Sequence, residues 1–131
     1  MTGAVSGFDH VSLPLRDADA MAAFYRAVGL AVDETEHVVV VHVGDQMINF
    51  HRDAMWTRAD FTLRAPAAVP PCGDFCVRWD GSADELDALL ARVGATIEEG
   101  PVPRRGALGV EATSVYVRDP DGNLVEFMRY P

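Results

Sequence analysis

Met21-x-x-Phe24-x-x-x-Val28-Gly29-Leu30-x-Val32 and Leu86-x-x-Leu89-x-x-x-Val93-Gly94-Ala95-x-Ile97 are one pattern written twice, 65 residues apart. In each copy apolar residues recur at helical spacing, a glycine stops the helix, and a β-branched residue follows. Upstream of each helix lies a strand. Phe8 to Leu15 carries His10, and Asp74 to Trp79, with one residue inserted in the following turn, carries Asp74 at the matching position. Downstream, Gln46-Met47-Ile48-Asn49-Phe50-His51-Arg52 aligns with Asn123-Leu124-Val125-Glu126-Phe127-Met128-Arg129. The repeat therefore sets His10 against Asp74 and Asn49 against Glu126. A pseudo-twofold axis relating the copies is expected to gather these four polar positions at its centre.

The strands and turns between these landmarks fill out two units. Asp17 or Asp19 starts the first helix, and Ser82-x-x-Glu85 is a capping box for the second. Val32 to Glu36, Val38 to Val43 and Gln46 to His51 read as a meander with a tight turn at Gly44-Asp45. A strand is expected near Ile97, an irregular segment over Gly100 to Gly109, and a final hairpin of Thr113–Arg118 and Asn123–Tyr130. Asp119-Pro120-Asp121-Gly122 joins that hairpin with the preferences of a type I turn. The chain is thus expected to be one α+β domain of two tandem βαβββ modules forming a half-open barrel around a cleft. Module one spans about 6–52, the linker about 53–72, and module two about 73–131. The linker carries Pro66, Pro70 and Pro71, and its Trp56 and Phe61 are exposed unless they cover something.

Composition narrows the function. The 131 residues carry 20 acidic groups against 11 basic ones, a formal net charge of −9. Nucleic acid needs a basic face, so it is excluded as a partner. All the basic residues are arginine, which reads as genome composition rather than function. No apolar stretch is long enough to cross a membrane. Met-Thr-Gly-Ala-Val-Ser-Gly lacks the basic start and apolar core of a signal peptide, so a cytoplasmic location is expected. Cys72 and Cys76, without a second pair or a histidine cluster, are expected to be reduced thiols.

The two modules, the opening Phe8-Asp9-His10-Val11 strand and the closing Asp119-Pro120-Asp121-Gly122-Asn123-Leu124-Val125-Glu126-Phe127 segment resemble the vicinal oxygen chelate superfamily. That superfamily contains glyoxalase I, extradiol dioxygenases, and fosfomycin and bleomycin resistance proteins. Ile97-Glu98-Glu99-Gly100-Pro101 and Gly106-Ala107-Leu108-Gly109 are similar to a small glyoxalase-domain branch often labelled virulence or dioxygenase-related proteins. The resemblance implies a glyoxalase-like fold and one divalent metal ion per site (Fe, Mn, Ni or Zn). His10, Asp74 and Glu126 are its ligands by this analogy. Asp74 stands where most metal-dependent members have histidine or glutamine, and Asn49 where glyoxalase I has a second, catalytic glutamate. Members of this size also imply a homodimer.

The residues support such a site on their own terms. Glu126 sits in an otherwise apolar strand, where an ionised carboxylate needs a cation or hydrogen-bond donors. The repeat symmetry is expected to bring His10 to the same centre as Glu126. One imidazole with two carboxylates leaves coordination positions at which a small-molecule substrate can chelate through neighbouring oxygens. Glu126 and His51 are the candidate catalytic groups, because the amide of Asn49 cannot serve as a base. His51, on the face of Asn49, reads equally as an extra ligand, an acid/base group or a surface histidine. Asn49, Trp56, Phe61, Arg104 and Arg105 are candidates for substrate binding, the aromatics by stacking and the arginines by gripping a carboxylate. The expected activity is a metal-dependent lyase, isomerase or dioxygenase. The rival is a metal-free protein, like bleomycin resistance proteins, that sequesters a cationic small molecule.

Overall fold

A computed structural model describes residues 2–131. The element order is β1 (His10–Pro14), α1 (Ala18–Val28), β2 (Val32–Glu34), β3 (Val38–Val43), β4 (Gln46–His51), α2 (Asp53–Trp56), β5 (Asp74–Arg78), α3 (Ala83–Val93), β6 (Glu99–Arg105), β7 (Glu111–Arg118) and β8 (Leu124–Arg129). The strands form two four-stranded sheets, ordered β1-β4-β3-β2 and β5-β8-β7-β6. In each the first strand runs parallel to the last and the others are antiparallel. Register confirms the repeat: Asn49 lies opposite Ser12 as Glu126 lies opposite Cys76. This is the expected glyoxalase-like pair of βαβββ modules, with the sheets left open.

Local chemistry explains the boundaries. The side chain of Asp17 accepts from the Ala20 N–H to start α1, and Ser82 with Glu85 closes the full capping box on α3. Gly29 and Gly94, both left-handed, end the two helices. The Gly122 N–H donates to the Asp119 carbonyl at 2.9 Å, closing the expected turn.

One expectation is overturned. The strand expected near Ile97 begins only at Glu99, and the stretch read as irregular after Gly100 is mostly that strand, β6, with a register shift between Glu99 and Val102. Pro101 and Pro103 hide the strand in the sequence, yet β6 is the outer strand of its sheet, where missing N–H donors cost little. Gly100 makes the irregularity possible. Its φ is +109°, and a Cβ there would run into the Ser114 carbonyl.

Both modules share one core. Leu15, Tyr25, Val39 and Phe50 from the first cluster with Leu90, Val117, Val125 and Phe127 from the second, and α1 packs against α3. A polar joint reinforces it. The buried Asp119 carboxylate accepts from the Tyr25 hydroxyl (2.7 Å), the Asn123 amide (2.9 Å) and the backbone N–H groups of Asp121, Gly122 and Asn123. Beside it Asp121 accepts from the backbone N–H groups of Arg16 and Asp17. No helix of the described residues is long and apolar enough to cross a membrane.

Candidate functional site

Strand alternation puts the apolar residues of each sheet into the core and leaves an opposite, open face. On the second sheet that face carries Asp74, Cys76 and Arg78 from β5, Glu126 and Met128 from β8, Ser114 and Tyr116 from β7, and Arg104 from β6. Glu126 lies directly between Cys76 on one neighbouring strand and Tyr116 on the other. It is flanked along β8 by the buried Val125 and Phe127.

The fully buried Ser114 hydroxyl donates to Glu126 Oε2 at 2.6 Å, fixing the carboxylate. Among the described residues no arginine or histidine lies within ion-pair distance of Glu126. Its charge is therefore held by a neutral donor and turned toward an open face. Cys76 remains accessible to solvent, yet partial burial, reinforced by the Glu126 charge, pushes its thiol up to about 12. Arg78 opposes that shift without reversing it. At neutral pH Cys76 is a neutral thiol, not a nucleophile.

On the first sheet the open face carries His10 and Ser12 from β1 with Asn49 and His51 from β4. The His10 ring meets Asp9 through Nδ1 at 2.6 Å. With that nitrogen donating to Asp9, Nε2 is the ring nitrogen left with a lone pair, the tautomer usual for a metal-ligating histidine. Strands β1 and β5 are the facing edges of the two sheets. Leu13 packs against Gly73 at one end of the seam. At the other, Phe8, Val11, Ile48 and Phe75 line a cavity of about 260 Å³ that His10 and Cys76 also border.

Within one chain the expected convergence is incomplete. Among the described residues no three His, Cys, Asp or Glu side chains lie together closely enough to hold a metal ion. Asp74 and Glu126 share a sheet face; His10 stands across the seam from them. Asn49 is farther back on the first sheet, opposite Ser12.

The other candidates separate sharply. Trp56 and Phe61 cover the His51 end of the first sheet's open face. The Trp56 indole N–H donates to the Leu15 carbonyl at 2.9 Å, and Phe61 meets His51 edge-on with ring centroids 5.2 Å apart. Arg64 lies over the Trp56 ring, and together they wall a cavity of about 100 Å³ against His51. Burial, helped by the Arg64 charge, lowers the His51 pKa, so its imidazole is neutral near pH 7. Arg105 donates to the Gly109 carbonyl and braces the β6–β7 hairpin. Arg104 is held on Tyr116, on the face of Glu126.

Ser114, Tyr116 and Arg78 were not singled out by the sequence, and Cys76 only as a reduced thiol on the face of Asp74. The period of two from Asp74 pointed to Cys76 and Arg78. The hairpin register about Asp119–Asn123 pointed to Tyr116, once the strand ends were known.

A family model described as the glyoxalase/bleomycin resistance protein/dioxygenase superfamily matches residues 7–127. The chain belongs to that superfamily. Among similar proteins is the virulence protein STM3117 of Salmonella typhimurium, 34% identical over 96% of this chain and 85% of its own length. Its crystal structure superposes with a TM-score of 0.86. The glyoxalase domain-containing protein RDO1 of Mycosarcoma maydis is 32% identical over 96% of this chain and 69% of its own. A lactoylglutathione lyase structure from Agrobacterium tumefaciens matches at a TM-score of 0.73, with 30% identity over 96% of this chain and 95% of that one.

Proposed function

We propose that this protein is a divalent-metal-dependent lyase, isomerase or dioxygenase, working as a homodimer on a small substrate with neighbouring oxygens. The observation that carries the reading is Glu126, a half-buried carboxylate fixed by Ser114 and left without a cation on an open face. A carboxylate so placed calls for a cation. The donor set suits one: Glu126 and Asp74 oxygens with the Nε2 lone pair of His10 match hard or borderline ions such as Fe(II), Mn, Ni or Zn.

Such an ion, when bound, supplies Lewis acidity to the substrate's oxygens. The chain's own residues do the remaining work. Ser114 holds Glu126 and Asp9 holds His10, so neither ligand needs to reorganise. Asn49 has no basicity, which argues against the proton transfer of a lactoylglutathione lyase. His51, neutral near pH 7, is the base available on the first sheet.

Because one chain leaves His10 apart from Asp74 and Glu126, a second copy completes the set, with His10 of one subunit facing Asp74 and Glu126 of the other. Apolar exposure at the mouth of the seam supports this pairing: Phe8 is 78% and Val11 42% exposed there. Sequestration of a cationic molecule fits less well, since Arg78 and Arg104 flank Glu126 on its open face. Plasma mass spectrometry on untagged protein tests the reading. About one divalent ion per chain, lost in His10→Ala and Glu126→Ala, is expected; wild-type protein that takes up no Mn, Fe, Ni or Zn would sink it.

A further inference from the structure

Arginine is scarce in this chain and carboxylates are plentiful, 11 against 20. Four of the eleven arginines, Arg26, Arg52, Arg58 and Arg118, pair with acids. Arg104 is among the others: within the described residues no carboxylate lies within ion-pair distance of it. It is fixed by other means. Its guanidinium carbon lies 5.5 Å from the Tyr116 ring centroid, Nε donates to the Tyr116 hydroxyl at 2.9 Å, and Nη1 donates to the Pro103 carbonyl at 2.9 Å.

That geometry has a chemical consequence. A guanidinium has five N–H donors, and this one commits two of them. Both hydrogens on Nη2 and one on Nη1 stay free, which is the end of the fork that grips a carboxylate with two parallel bonds. The group is pre-ordered by the ring beneath it and by the proline carbonyl behind it, so little freedom is lost when an anion arrives. Tyr116 lies directly opposite Glu126, so the fork belongs to the same face as the proposed metal ligand without neutralising it. Arg78 repeats the arrangement on the same face: it too lacks an acidic partner and lies 5.5 Å from a tyrosine ring centroid, that of Tyr130. In a protein of net charge −9, two arginines held on tyrosines counter the repulsion that an anionic ligand would meet.

We infer that the substrate is a small organic acid, with neighbouring oxygens at one end and a carboxylate at the other that Arg104, seated on Tyr116, receives. This deepens the metal-dependent reading and rests on it for the end that carries the neighbouring oxygens.

Two probes separate the ends. 2-Hydroxyglutarate and 2-hydroxypentanoate share a hydroxyl next to a carboxylate, but only the first has a distal carboxylate. Calorimetric titration into manganese-supplemented protein is expected to show the wild type preferring 2-hydroxyglutarate by about tenfold, the scale of one charge-assisted contact. Arg104→Gln is expected to bring the ratio near one, with the larger loss on 2-hydroxyglutarate. Arg104→Lys, which keeps the charge but not the fork, should fall between them. Unchanged discrimination in Arg104→Gln, or a wild type that binds the two acids equally or binds neither, overturns the inference. Thermal melts alongside exclude unfolding of the variants as the cause. Failure of the metal reading is separately visible: discrimination by Arg104 would then survive omission of manganese and substitution of Glu126 by Gln.

Discussion

The two faces are built on the same strand order and the same register, yet they are covered differently. The linker covers the His51 end of the first sheet's face, with Trp56 anchored on Leu15 and Phe61 set against His51, and leaves His10 exposed. On the second sheet the corresponding face leaves Glu126 turned outward, flanked by arginines that have no acidic partners. The amide at the position of Asn49 and the carboxylate at the position of Glu126 express the same division. One scaffold occurs twice; on the second sheet Ser114 and Met128 are buried and Glu126 stays half-buried, while on the first the equivalent position is an amide. The chemistry is therefore lopsided although the fold is symmetric, and His10 is what the first sheet contributes.

The largest expected effect comes from treating the equivalent positions alike. Glu126→Gln should abolish metal retention, whereas Asn49→Ala should leave it within about twofold of wild type, as read by metal content after dialysis. Loss in both would erase the distinction between the faces.

Next is the joint that lets the halves differ while sharing a core. Asp119→Ala strands the Tyr25 hydroxyl, the Asn123 amide and three backbone N–H groups, and should cost roughly 3 kcal/mol or more in urea unfolding. Tyr25→Phe removes one donor of five and should cost about 1–2 kcal/mol. The order of the two variants matters more than either value.

The smallest effect concerns the covered end of the first sheet. The folded His51 pKa lies below its ordinary value of about 6.5, through burial first and Arg64 second. The unfolded chain then binds the proton more readily. Stability from this group is thus complete above pH 6.5 and declines as pH falls from there through the folded pKa. The urea midpoint should drop between about pH 7.5 and pH 5, and His51→Gln should flatten part of that slope. A slope unaltered in His51→Gln would mean that the linker does not shield the ring.

Much of this was legible in the residues. The helix repeat, the capping box, the Asp119–Gly122 turn and the pairing of His10 with Asp74 and Asn49 with Glu126 follow from local periodicity, which the chain writes plainly. Strand β6 was not, because Pro101 and Pro103 signal loop unless the strand is known to be an outer one. Neither were Ser114 and Tyr116, whose facing of Glu126 depends on hairpin register and not on any motif. Trp56 and Phe61 posed a question that only packing answers. The gap between His10 and Glu126 lies furthest from the sequence, since it depends on how two sheets sit across a seam with no hydrogen-bonded strands.

That gap is also where the account is most exposed. His10→Ala and Glu126→Ala proteins, each purified, should be mixed under conditions that exchange subunits, and the metal content then measured. If each site takes His10 from one chain and Glu126 from the other, mixed dimers regain one intact site, and the mixture should hold about a quarter of the wild-type metal. Exchanged dimers that stay empty would contradict a shared site and return the ligands to a single chain.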